Sequence, residues 1–169
     1  VTPSVPRNAR EFLLANNSSE GDLTFRVYGV PAPQGSKKHI GRGIMVESSK
    51  RVKPWRQDVK LDTREQFIGP PIVGPVFLSI TFWIPRPKSH YKTKNGILTD
   101  VIKPNAPLYS TSCMDGDIDK LARCTLDGLS AKCGGCVIAD DSLVVELTCR
   151  KRYVTAVETT GATITVVEP

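Results

Sequence analysis

Hydrophobic and polar residues alternate over Val76–Ile84, with Val76, Leu78, Ile80, Phe82 and Ile84 on one side and Ser79 and Thr81 on the other. A period of two marks a half-buried strand. Later in the chain Leu143, Val145, Leu147 and Cys149 interleave with Val144, Glu146, Thr148 and Arg150, which predicts a second strand. Leu23–Val30 reads as a strand ended by Pro31-Ala32-Pro33-Gln34-Gly35, and Thr163–Val167 as a short final one. Elsewhere the period becomes helical. Ile118, Leu121, Ala122, Thr125 and Leu129 predict a helix from about Asp117 to Ala131, stopped near Gly134-Gly135. Pro54-Trp55 opens another, running to about Phe67, with proline near the first turn where its missing N–H is not needed. Gly69-Pro70-Pro71 breaks that helix.

Three stretches carry no period. Residues 1–21 are polar around Phe12-Leu13-Leu14 and read as an arm or disordered lead-in to a single domain over 22–169. Lys37-Lys38-His39-Ile40-Gly41-Arg42-Gly43, followed by Ile44-Met45-Val46, reads as a mobile loop or hairpin. Pro85 to Ser112 reads as a long basic loop holding Arg86, Lys88, His90, Lys92, Lys94 and Lys103. The order strand, hairpin, helix, strand, helix, strand, strand predicts an α+β fold. Its sheet is expected to be mixed or antiparallel, with two main helices on one side.

Composition narrows this little. Hydrophobic residues make up 40% of the 169, enough for a core. No stretch reaches the roughly 18 apolar residues of a membrane span, and no secretory pattern opens the chain. The 23 Lys and Arg against 17 Asp and Glu leave a net charge of +6, compatible with a polyanionic partner. Five cysteines lack a disulfide-framework spacing and point to a reducing, cytosol-like compartment. Cys133-Gly-Gly-Cys136 stands alone, with no second pair or nearby histidine, and reads as a glycine-rich turn with two free thiols.

The chemistry gathers in the acidic residues. Asp115-Gly116-Asp117-Ile118-Asp119 sets carboxylates at alternate positions, which an extended segment presents on one side. Arg123 and Asp127 follow Asp119 at helical spacing, and Asp140-Asp141 stands just before a strand. Carboxylates gathered in space repel one another, and a hard cation such as Mg²⁺, Mn²⁺ or Ca²⁺ relieves them. A solvated acidic loop capping a helix explains the same spacing. An EF-hand does not, because Lys120 and Leu126 stand where that loop needs glycine and glutamate. With two histidines, His39 and His90, and no phosphate-loop or dinucleotide glycine motif, other catalytic constellations are thin.

The run Asp117-Ile118-Asp119-Lys120-Leu121-Ala122-Arg123, continued by Leu126-Asp127-Gly128-Leu129 and then Asp140-Asp141-Ser142, resembles the RusA family of Holliday junction resolvases. Tyr28-Gly29-Val30-Pro31-Ala32-Pro33 and Ile84-Pro85-Arg86-Pro87-Lys88-Ser89-His90-Tyr91 also look like family segments, so the resemblance spans roughly residues 22 to 168. It implies a homodimer, commonly phage- or prophage-encoded and acting in a bacterial host cytoplasm, that nicks four-way DNA junctions symmetrically in recombination or repair. The implied cofactor is Mg²⁺, with Mn²⁺ substituting. Asp117, Asp119 and Asp141 match the metal-binding catalytic carboxylates, and Asp127 and Asp140 match supporting acidic positions. Arg123 stands where the family usually has a catalytic lysine, and Lys120 where it has asparagine. Asp115 is an extra ligand or a bystander. Lys37, Lys38, Arg42, Arg86, Lys88, Lys92 and Lys94 are candidate phosphate contacts. Two other readings stay open: a junction-binding protein with weakened catalysis, and a nuclease preferring flaps, forks or duplex.

Overall fold

A computed structural model describes residues 21–35 and 50–169, with the backbone alone of 37–39 and 45–47. In chain order the elements are β1 (Leu23–Tyr28), β2 (Lys37–His39), β3 (Met45–Glu47), α1 (Val52–Gln66), β4 (Val76–Ile84), β5 (Tyr91–Lys94), β6 (Ile97–Ile102), α2 (Ile118–Leu129), β7 (Val144–Tyr153) and β8 (Gly161–Val167). The expected arm, apart from Gly21, lies outside the described residues, as does Arg42; the side chains of Lys37 and Lys38 do too.

Four strands make the main sheet, in the order β1-β8-β4-β7. β8 is antiparallel to both neighbours, pairing Phe25 with Ile164 on one side and Ile80 with Ile164 on the other. β4 and β7 are parallel, because the chain crosses back through α2 between them, so the sheet is mixed. In β4 the sequence alternation survives position by position. Val76, Leu78, Ile80, Phe82 and Ile84 are buried, while the residues between them are half-buried on the other face.

Both helices cover the buried face. α1 turns Val52, Trp55, Val59 and Thr63 inward, and α2 buries Leu121, Cys124, Thr125, Gly128 and Leu129, each at the three- and four-residue spacing of one helical stripe. They meet closely at Gly128, where a Cβ would lie 2.7 Å from the Val59 side chain. Two polar links fix the crossing: the Trp55 indole N–H donates to the Thr125 hydroxyl at 3.1 Å, and Arg56 pairs with Asp127 at 2.8 Å. Burying each large apolar side chain here is worth about 1.5–3 kcal/mol, so Trp55, Phe25 and Phe82, all fully enclosed, dominate the core.

The structure corrects the expected elements in five places. The unpatterned loop from Pro85 to Ser112 contains a second hairpin, β5–β6, turning at Asn95-Gly96 with positive φ at both residues. Its strands are short and exposed on both faces, so no alternation could betray them. The first helix begins at Val52 and ends at Gln66, and the second stops at Leu129, where Ser130 turns extended. β1 ends at Tyr28, before Gly29 takes a φ of 127°. β7 starts at Val144, after a single turn over Asp141–Leu143, and a bulge beside Val76 shifts its register. As the edge strand it leaves Val145 and Leu147 exposed, while Val144 and Cys149 pack on the core.

Candidate active site

The acidic motif is presented by a tightly specified approach. Ser112 accepts a hydrogen bond from the Met114 N–H, and a single turn over Cys113–Asp115 leads to Gly116 at φ 87°, ψ 159°. That conformation is open essentially to glycine alone. Gly116 is also pressed against Pro33, and its carbonyl accepts from Lys151 Nζ at 2.6 Å. Asp115 faces inward: its carboxylate accepts from the Ser110 hydroxyl and from the Tyr153 hydroxyl, the latter at 3.4 Å. Of the three alternating aspartates, Asp115 therefore braces the approach and the other two stand in solvent.

Asp117 is the N-cap of α2, its carbonyl taking the first helical bond from Leu121 N–H at 3.0 Å. Its carboxylate does not cap the helix. It pairs instead with Lys120 Nζ at 2.6 Å, whose hydrogen bond and charge hold the Asp117 carboxyl below the usual carboxylate range and raise Lys120 in turn. One turn along, Asp119, Lys120 and Arg123 share an open pocket of about 280 Å³ with Gln34 and Gly35. Gln34 is tied in by its backbone N–H donating to the Lys120 carbonyl at 3.0 Å, and its side-chain oxygen is buried with no hydrogen-bond partner among the described residues. Gln34 and Gly35, read from the sequence only as part of the turn that ends a strand, thus line this pocket. An amide inside a proline-rich turn carries no signal of its own until the turn is folded against α2.

Asp141 belongs to a second cluster. Asp140 caps the turn over Asp141–Leu143, its carboxylate accepting from Ser142 N–H at 3.1 Å and pairing with Lys132 at 2.7 Å. Those bonds hold the Asp140 carboxyl far below its ordinary value. Asp141 moves the other way, pushed up by its hydrogen bond with Asp140, by partial burial and by the negative charge of Asp140 and Asp127. Asp127, held by Arg56, thus lies on the Asp141 side, two helical turns beyond Asp119, a rise of about 12 Å. Arg123 sits between the two on the same face of α2, exposed and with no ion pair among the described residues. Among those residues no three His, Cys, Asp or Glu side chains converge to hold a metal ion.

Of the basic candidates, Lys88, Lys92 and Lys94 are exposed along the β5–β6 segment. Arg86 is half-buried and donates to the carbonyls of Val154 and Pro107, both at 2.9 Å. Cys133 and Cys136 lie on the turn after α2 as free thiols.

The sequence model of the family described as endodeoxyribonuclease RusA matches residues 29–166. The chain belongs to the RusA family. No individually curated protein matches it. RusA proteins are endodeoxyribonucleases acting on branched DNA junctions, and the match takes in every element from Gly29 onward that builds the two acidic clusters. Among the described residues no helix is long and apolar enough to cross a membrane.

Proposed function

We propose that this RusA protein is a Mg²⁺-dependent endonuclease that nicks four-way DNA junctions in pairs, working as a homodimer in a bacterial cytoplasm on recombining or phage DNA. The observation that carries this reading is the family motif set at the exposed amino end of α2, beside an open pocket lined by Asp119, Lys120 and Arg123.

The donor set fits the cofactor in kind. Asp117, Asp119 and Asp141 offer only carboxylate oxygen, with no thiolate or imidazole among them, as Mg²⁺ and Mn²⁺ prefer. In this structure they stand in two clusters, so these three residues would hold one ion only by drawing together; bound there, it would supply positive charge to the phosphodiester and lower the pKa of water. The chain's own groups do the rest. Arg123, with no ion pair among the described residues, offers planar N–H donors to the phosphate oxygens. Lys120, paired with Asp117 and lining the same pocket, would be freed for a phosphate once that carboxylate held an ion. The exposed Lys88, Lys92 and Lys94 fit contacts to backbone phosphate, which fix position and not sequence. A two-fold dimer supplies two sites for two strands.

The test is cleavage of a synthetic four-way junction over a Mg²⁺ and Mn²⁺ series. Asp117→Asn, Asp119→Asn and Asp141→Asn each should abolish nicking while junction binding survives. Cutting by any of them at the wild-type rate would remove that residue from the site. One observation favours a second reading. The close Lys120–Asp117 pair competes with a metal ion, so junction binding without cutting at any divalent-metal concentration would mark a junction-binding protein with weakened catalysis.

A further inference from the structure

The β5–β6 hairpin buries little of what it carries. Ile97 is 70% exposed, Val101 49% and Leu98 47%, all within one six-residue strand. Hairpins of two strands are marginal in water on their own, and exposed aliphatic residues clustered at a turn mark a contact surface. Between residues 88 and 103 there are four lysines and one aspartate, a net +3, which is half the net charge of the whole chain.

The hairpin's base, in contrast, is fastened. Arg86 bridges Val154 and Pro107 and lies over the Tyr153 ring at 5.3 Å. His90 meets the same ring edge-on at 5.0 Å, and Lys103 donates to the Ser89 carbonyl at 2.8 Å. Tyr153 in turn donates its hydroxyl to Asp115, two residues before Asp117. The Tyr153 ring therefore links the base of the hairpin to the segment that presents the acidic motif, alongside the Ser110–Asp115 hydrogen bond.

A basic stem with an aliphatic tip matches one occupant in both respects: DNA whose backbone phosphates meet the lysines and whose unstacked bases meet the tip. Duplex DNA hides its base faces; a branch point exposes them, and apolar side chains wedge into such opened steps. Resting on the reading of this protein as a junction endonuclease, we propose that the β5–β6 hairpin is its branch-point wedge. Ile97 and Leu98 pack against unpaired or unstacked bases, and Lys92 and Lys94 hold the flanking phosphates.

The experiment compares the full-length wild type with the double variant Ile97→Ser, Leu98→Ser, two exposed positions whose replacement leaves the core intact. Binding is measured to a four-way junction and to a linear duplex of the same sequence, with 2-aminopurine placed at the branch. The wedge predicts that the variant binds the junction about tenfold more weakly, keeps its duplex affinity, and loses the fluorescence rise that the wild type produces. A companion variant, Lys92→Ala with Lys94→Ala, should weaken junction and duplex alike and lower the salt dependence of both. An unchanged junction-to-duplex ratio in the serine variant overturns the wedge while leaving the endonuclease reading intact. So does a loss of dimers in the serine variant, which would make the tip a contact between two copies. A wild type that shows no preference for the junction overturns both.

Discussion

Replacing Gly116 with alanine tests whether the approach to the acidic motif is as constrained as its geometry implies. At φ 87°, ψ 159° the backbone occupies a region essentially closed to residues with a Cβ, and forcing one there costs about 1–3 kcal/mol. The added methyl would also sit 2.5 Å from both Cβ and Cγ of Pro33, carbons of a ring that cannot swing aside. Overpacking of that kind adds about 1–3 kcal/mol. Taking about 4 kcal/mol in all, a domain of this size should melt about 8–16 °C lower. The natural control is Gly74→Ala, where a Cβ meets nothing within 4 Å and the melting temperature should hold or rise slightly. Differential scanning calorimetry measures both. Junction cleavage well below the melting point should fall as well for Gly116→Ala, because relieving the clash moves Asp117. A fall in melting temperature of less than about 3 °C, with cleavage intact, would refute the constraint.

Lys120→Ala should lower the Mg²⁺ concentration needed for half-maximal cleavage, since it removes the cation that competes for Asp117; an unchanged or higher requirement would count against that competition. In a carboxyl-carbon NMR titration Asp117 should ionise below the usual carboxylate range, and the same variant should raise its value. The Asp117–Lys120 pair contributes stability above the ordinary carboxylate pKa and loses it as pH falls through the depressed one. Asp141 should titrate above the usual range, and Asp140→Asn should bring it down. Trp55→Phe strips the Thr125 hydroxyl of its donor and opens a small cavity, so urea unfolding should show a loss of about 1–3 kcal/mol. Under iodoacetamide at neutral pH, mass spectrometry should find Cys113 and Cys133 modified first. Cys149, whose thiol burial pushes up to about 11, should lag far behind; early labelling there would mean that β7 opens.

Several of these features were visible in the residues alone. β4 announced itself because one face meets the helices and the other does not, which is the condition that writes a period of two into a sequence. α2 was visible because its buried stripe is continuous from Leu121 to Leu129, and the pattern around Asp117 and Asp119 was recognisable as a family motif. What stayed hidden depended on contacts between distant segments. Nothing local distinguishes Asp115 from Asp117; only Ser110 and Tyr153, folded beneath it, turn one aspartate inward and leave the other exposed. The pairing of Asp141 with the Asp127 end of α2 likewise follows from how the chain crosses back from β4 to β7. The β5–β6 hairpin escaped because neither face packs on the core, although its Asn95-Gly96 turn was readable.

The position of β8 has a consequence for how such a chain is made. This strand, the last of the described elements to leave a ribosome, lies between β1 and β4, so most of the protein exists before β1 has any neighbour and while β4 is paired only with β7. Until Gly161–Val167 is synthesised, β1 and β4 present unpaired edges, the template on which chains aggregate. Pairing across so long a separation in sequence is also slow. A nuclease assembled in this order completes its sheet late, and a ribosome that stalls before residue 161 releases a fragment with β1 unpaired, one side of β4 open and the acidic motif already translated.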